Sequence, residues 1–227
     1  MNLIEFQLKY SNEEACIKDL ETRRWGENNA ICPFCKSNHF CKHNTRHIYT
    51  CMDCKKQYSV RMGTIFESSR LPLNKWYLAI YLFTSLKKGI SSHQLSKYLS
   101  ITQKSAWFML QRIREVMKND NNDKFTGTTE IDEAYLGGSE TNKHADTEDN
   151  QGKTAYKINT NSIEGFWSQL KRGIDGIYHW ANNKHIQRYV NEFCYRYNNK
   201  AISDIDKFAN WFSRFEGRRL YYKVLVG

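Results

Sequence analysis

The segment CPFCKSNHFCKHNTRHIYTCMDC, residues 32–54, carries two cysteine pairs separated by residues 36–50. Within each pair, a gap of two residues lets both sulfur atoms converge on one metal ion at about 2.3 Å, and the spacer can fold as a small ribbon. Four thiolates at this spacing predict a tetrahedral zinc site. The alternatives are two disulfides or incidental thiols. The predicted zinc ligands are Cys32, Cys35, Cys51 and Cys54.

The predicted zinc site has no need of further ligands, because four thiolates already complete the coordination of a structural zinc ion. We therefore expect the three histidines of the spacer to lie at the surface or to face DNA. A site closed in this way stabilises the fold and leaves no position for a reacting molecule. The cysteines outside the pattern are expected to act as small hydrophobic side chains; they are Cys16, Cys41 and Cys194.

The overall composition describes a globular, basic chain. Of its 227 residues 40% are hydrophobic, and 34 Lys and Arg against 24 Asp and Glu give a formal net charge of +10. This balance favours polyanionic partners, with nucleic acid first. No signal peptide and no apolar stretch of about 18 residues is visible, so we expect a cytoplasmic protein without a membrane span.

Residues 74–117 show the periodicity of three helices. The first ends near Gly89, the second is short and carries Leu95 and Leu99, and the third begins after Thr102 as a predicted N-cap. Helix, tight turn and helix predict a helix-turn-helix motif whose second helix enters a major groove. The alternative is a helical spacer packed on its own apolar stripes. The predicted DNA-binding residues are Gln103, Lys104, Ser105, Trp107 and Arg112.

Two carboxylates occur in patterns typical of a metal-dependent nuclease. Asp132 lies in EIDEAYLGG, residues 130–138, which has the pattern of a short strand ending in a turn. Glu164 lies in NTNSIEGFWSQLKRG, residues 159–173, which predicts a helix with Glu164 and Lys171 on one face. Carboxylates from a strand and a helix commonly hold two Mg²⁺ ions that act on a phosphodiester, although Glu and Lys at this spacing also occur on solvated helix faces.

The order of these motifs resembles the insertion-sequence transposases of the DDE type that carry an N-terminal zinc ribbon. The resemblance extends over residues 12–200 and implies a ribonuclease-H-like, integrase-like catalytic domain with Mg²⁺-dependent cleavage and transfer of DNA strands. It also implies the double-stranded DNA of transposon ends and a second subunit as partners. By position, Asp132 corresponds to the first metal-binding acid of the family and Lys171 to its basic residue. Either Glu164 or Asn161 corresponds to the third position; Asp132 and Glu164 would hold the Mg²⁺.

The segment between these motifs departs from the family pattern. Residues 139–158 are polar and predict a loop, whereas a ribonuclease-H-like sheet needs two more strands, a helix and a fourth strand there, about 35 residues. The fourth strand would carry the second Asp. Asp146 and Asp149 are the acids present in its place. We therefore expect an internally deleted and catalytically defective transposase, or alternatively a zinc-dependent DNA-binding module without catalysis.

Together these patterns predict a multidomain α+β protein. We expect an N-terminal helix with a zinc ribbon over residues 1–66 and a helix-turn-helix domain over residues 67–122. An incomplete ribonuclease-H-like domain is expected over residues 123–227. The chain is expected to form a homodimer or to pair with a full-length relative, and to associate with the nucleoid.

Overall fold

A computed structural model of the chain describes residues 2–26, 29–43, 45–118, 161–179 and 181–226. The predicted strand with Asp132 and the predicted loop with Asp146 and Asp149 lie outside these ranges. The chain divides into two compact units. The first unit comprises residues 1–119 and 182–227, and the second comprises residues 120–181.

The first unit begins with two helices whose starts are fixed by asparagine caps. Helix α1 (Leu3–Lys9) follows Asn2, whose side chain accepts the backbone N–H of Glu5, while the Glu5 carboxylate accepts the N–H of Asn2. Helix α2 (Glu13–Trp25) follows Asn12, which accepts the N–H of Ala15. Such bonds satisfy N–H groups that have no partner inside the helix.

A small antiparallel sheet follows α2 and contains the predicted ribbon. Its strands β1 (Phe40–His43), β2 (Ile48–Cys51) and β3 (Gln57–Tyr58) pair in chain order. Trp25, the last residue of α2, packs edge-on against Tyr49 and Tyr58, with ring centroids 5.2 and 6.0 Å away. This aromatic contact attaches the sheet to α2.

Three helices occupy the region where helical periodicity was predicted. They are α3 (Leu73–Ser85), α4 (Ser92–Leu99) and α5 (Gln103–Val116). The hydroxyl of Thr102 accepts the N–H of Ser105, so Thr102 is the N-cap of α5, as its sequence context indicates. Between α4 and α5 the chain turns through Ser100, which adopts a left-handed conformation with φ 49°.

Helices α7 (Asn183–Asn198) and α8 (Asp204–Phe212) complete the core of the first unit, and a short helix α9 (Tyr222–Val226) follows them. Phe208 of α8 packs against Phe6 of α1 and Tyr77 of α3, with centroids 5.1 and 5.8 Å away. The indole N–H of Trp211 donates to the carbonyl of Ile113 at 3.2 Å. The aromatic stripe of α8 is thus buried against α1 and α3.

A buried ion cluster joins α5 to α7. The carboxylate of Glu192 is fully buried and accepts from Nε of Arg114 at 2.8 Å and from Nη2 of Arg196 at 2.7 Å. Arg196 also donates to the carbonyl of Leu86, just after α3. Both guanidinium groups lie over the ring of Phe83. The Glu192 carboxylate and its two arginines therefore connect α5, α7 and the end of α3.

The described part of the second unit contains helix α6 (Asn161–Gly173), which a π-helical turn, Ile174–Tyr178, extends. The helix begins where the sequence predicts it. In the ranges that the structure describes, β1 to β3 form the only sheet, and the predicted strand with Asp132 lies outside those ranges. No helix in the same ranges is both long and apolar enough to cross a membrane.

Candidate zinc centre and nucleic-acid interface

The four cysteines of the predicted zinc site meet at one point. The Sγ atoms of Cys32 and Cys54 are 3.6 Å apart, those of Cys35 and Cys51 are 3.5 Å apart, and all four lie within 4.8 Å of one another. A tetrahedral ion with Zn–S bonds of about 2.3 Å requires sulfur separations of about 3.8 Å. All four thiols are free, which disagrees with the disulfide alternative. The size and the chemistry of the cluster fit a structural zinc ion.

The backbone around the second cysteine pair favours a thiolate at Cys51. The residue after each pair, Lys36 or Lys55, has a positive φ, 64° or 59°, so both turns close in the same way. The pKa of the Cys51 thiol is lowered to about 7, first because the N–H of Cys54 donates to it and also through the N–H of Asp53; burial opposes this shift. Bonds from N–H groups stabilise the charged form that binds zinc.

Two of the three spacer histidines lie within hydrogen-bonding distance of side chains other than the cysteines. Nδ1 of His39 lies 3.2 Å from the carboxylate of Asp53, and Nε2 of His43 lies 2.9 Å from the hydroxyl of Thr50. Both histidines are exposed. Among the described residues, the four cysteines are the only group of three or more Cys, His, Asp or Glu side chains arranged to hold a metal.

The start of α5 presents the two most accessible of the predicted DNA-binding residues. Gln103 and Lys104 are both exposed. The Gln103 amide donates to the hydroxyl of Ser92 at 2.8 Å, which ties α5 to the start of α4. The ammonium of Lys104 lies 5.5 Å from the ring centroid of Tyr222. The charged end of α5 is therefore open to a partner and supported by α9.

The other three predicted DNA-binding residues make contacts within the protein. Ser105 closes the N-terminal turn of α5, where its hydroxyl accepts from that of Thr102. Trp107 is half-buried and packs against His185, with centroids 5.5 Å apart. Burial lowers the pKa of His185, and Arg188 lowers it further, so this imidazole adds no positive charge at neutral pH.

Arg112, the last of the predicted DNA-binding residues, is 7% exposed. Its guanidinium donates to the carbonyls of Ile65 and Glu67 at 2.7 and 3.1 Å. Burial lowers its pKa. The side chain joins α5 to the segment that follows the ribbon, and this environment assigns it a structural role.

The predicted catalytic residues are only partly described. Glu164 and Lys171 lie on α6 and are exposed, as the predicted shared face requires. Asn161 begins α6, but its side chain is outside the described part, as is the whole of Asp132. The structure thus places Glu164 and Lys171 on one helix, and it provides no geometry between Glu164 and Asp132.

Sequence reasoning missed the buried carboxylate of Glu192 and the contacts of α7 and α9 with α5. A local signal for the buried carboxylate was present, because Glu192 and Arg196 are four residues apart, the spacing at which side chains on a helix are neighbours. Local sequence carries no signal for the contact of His185 with Trp107 or of Tyr222 with Lys104, since these residues are far apart in the chain.

Two family models match separate segments of the chain. A transposase zinc-ribbon domain matches residues 11–57, which include all four cysteines. An ISXO2-like transposase domain matches residues 149–198, which include α6 and the whole of α7. The resemblance to insertion-sequence transposases is confirmed. The zinc-ribbon match also supports a structural zinc ion at the cysteine cluster.

One curated relative adds to the transposase resemblance. It is an uncharacterized protein in transposable element ISH50 of Halobacterium salinarum, 29% identical over 116 residues. The aligned region covers 50% of this chain and 38% of that protein, so the chain matches well under two thirds of its relative's length. No solved structure matches the chain significantly.

Proposed function

We propose that the protein binds the double-stranded DNA of transposon ends as a transposase-type protein of an insertion sequence. The observation that carries this proposal is the presence of both transposase matches, the zinc ribbon and the ISXO2-like segment, in one chain. A protein with this function acts on the nucleoid in the cytoplasm, as a homodimer or paired with a full-length relative.

The proposed DNA-reading element is the pair α4 and α5. The two helices are joined by residues 100–102, and the amide of Gln103 bonds to Ser92 at the start of α4. Gln103 and Lys104 are exposed at the tip of α5. A net charge of +10 favours a polyanionic partner. These features support a helix-turn-helix in which α5 enters the major groove.

Lys104→Ala is expected to weaken binding to duplex DNA and to reduce the slope of log affinity against log salt by about 0.9, the value for one lost phosphate contact. Fluorescence anisotropy at several salt concentrations measures both quantities. Lys87→Ala is the matched control, because Lys87 is an exposed lysine in the turn after α3. An unchanged affinity and slope for Lys104→Ala would contradict the assignment of α5.

We propose that the chain catalyses DNA cleavage and strand transfer weakly or not at all. If Mg²⁺ binds, Asp132 and Glu164 supply its carboxylates, Asn161 is the alternative to Glu164, and Lys171 contacts a phosphate. Two-metal catalysis stabilises the attacking and leaving oxygens and needs a bridging carboxylate for the second ion. In the family pattern the second Asp provides this carboxylate. Because residues 139–158 are too few to form the strands that would carry it, we infer that the chain lacks the second Asp.

A strand-transfer assay tests the inferred catalytic defect. The purified chain, with paired transposon ends and Mg²⁺ or Mn²⁺, is expected to bind DNA but to join strands at least a hundredfold more slowly than a full-length relative. A loss of about 1.4 kcal/mol of transition-state stabilisation already costs tenfold in rate, and a missing metal ligand costs several kcal/mol. Efficient joining that is abolished by Asp146→Asn or Asp149→Asn would show that the loop supplies the second acid.

A second candidate function is a zinc-dependent DNA-binding module that regulates transposition. The polar composition of residues 139–158 favours it over an active enzyme. A regulator of this kind competes with a full-length relative for transposon ends, so its addition to that enzyme lowers the yield of joined DNA.

A further inference from the structure

Helices α7 and α9 contact α5 at two adjacent residues, Trp107 and Phe108, which point about 100° apart around the helix. On one side, Trp107 of α5 packs against His185 of α7, and Glu115 of α5 pairs with Arg188 at 3.2 Å. On the other side, the ring of Tyr222 in α9 meets Phe108 of α5 edge-on, with centroids 5.2 Å apart. Tyr222 also lies under the ammonium of Lys104. The proposed DNA-reading helix thus contacts two elements from much later in the chain.

Each flanking helix carries a lysine next to its aromatic contact. Lys184 precedes His185, and Lys223 follows Tyr222; both are exposed. Neither lysine forms an ion pair within the described parts of the chain. Lys104 lies on α5 between them and is exposed as well.

The acids close to this face are already paired with arginines. Glu115 pairs with Arg188 at 3.2 Å, and Glu67 pairs with Arg219 at 2.8 Å. In the part of the chain that the structure describes, these two acids therefore do not neutralise Lys104, Lys184 or Lys223, which add positive charge beside α5. Such a surface complements the phosphate backbones of duplex DNA.

We propose that Lys184 and Lys223 contact DNA phosphates on the two sides of the groove that α5 enters. The inference rests on the proposed function of α5. A major groove is about 12 Å wide and is bounded by two phosphate backbones, so a helix inside it has a backbone on each side. Lysines on flanking helices reach those backbones without touching a base. Such contacts fix the position of α5 and add affinity that is independent of base sequence.

The test measures DNA affinity and its salt dependence for the zinc-loaded full chain. Fluorescence anisotropy compares the unchanged protein with Lys184→Ala, Lys223→Ala and the double variant, on duplexes of transposon-end and of scrambled sequence. Each single substitution is expected to reduce the salt slope by about 0.9 and the double substitution by about 1.8, equally on both duplexes. Lys18→Ala is the matched control, because Lys18 is an exposed lysine on α2.

The outcomes separate this inference from the proposed function. If Lys104→Ala reduces the slope while Lys184→Ala and Lys223→Ala behave like Lys18→Ala, the flanking contacts are wrong and the role of α5 stands. If the salt slope falls for only one of the two substitutions, Lys184→Ala or Lys223→Ala, the proposal of phosphate contacts on both sides of the groove is wrong. If Lys104→Ala is also without effect, both proposals fail. A loss confined to the transposon-end duplex contradicts phosphate contact, because such contacts do not distinguish base sequences.

Discussion

Removal of zinc is expected to unfold residues 30–58 while α3 to α5 stay folded. The ribbon contains three short strands, β1 to β3, and its core consists mainly of the cysteine cluster and a few aromatic rings. Such a segment cannot bury enough apolar surface to fold alone. Structural zinc contributes about 10–16 kcal/mol to the folding of comparable zinc-finger peptides. The expected effect is therefore complete loss of the ribbon.

Hydrogen exchange with and without a chelator measures this effect, and mass spectrometry is expected to find one zinc ion per chain. Cys51→Ser should reproduce the unfolding without a chelator, because it removes a buried ligand. Cys41→Ser is the matched control, since Cys41 lies on β1, is exposed and is outside the cluster. Amides of the ribbon that remain protected in metal-free protein would disprove the structural role of zinc.

Glu192→Ala is expected to lower the free energy of unfolding by about 3–5 kcal/mol, the range for breaking a buried ion pair. The substitution leaves the guanidinium groups of Arg114 and Arg196 close together, with the Arg114 side chain 1% exposed and its bond to the Glu192 carboxylate removed. The same change removes one of the contacts between α5 and α7. Glu192→Gln keeps the shape of the side chain, so most of its cost reports the lost charge.

Urea denaturation of the zinc-loaded protein measures the cost of losing Glu192. Glu115→Ala is the matched control, because it removes a carboxylate on α5 from an ion pair with Arg188 that is about one fifth exposed. Partly exposed pairs contribute about 1 kcal/mol or less. Equal losses for Glu192→Ala and Glu115→Ala would show that burial of the cluster adds nothing to stability.

The sequence alone was sufficient to predict the features that depend on neighbouring residues. Two cysteine pairs at a spacing of two residues identify a metal site, because the short gap itself brings the sulfur atoms together. The starts of α5 and α6 follow from Thr102 as a cap and from the period of apolar residues in residues 161–173. The transposase resemblance likewise rests on short motifs, and the family matches confirm it.

Only the tertiary structure decided what covers each predicted helix. The aromatic residues of α8 are buried against α1 and α3, and residues 204–212 by themselves do not identify these partners. The helix-turn-helix pattern predicts Arg112 as a DNA contact, whereas in the structure its guanidinium donates to the carbonyl of Ile65, 47 residues away in the chain. The physical reason is that burial and electrostatic pairing depend on distant segments meeting in space. Those distant contacts, and not the neighbouring residues in the chain, decide whether a charged side chain is exposed or buried.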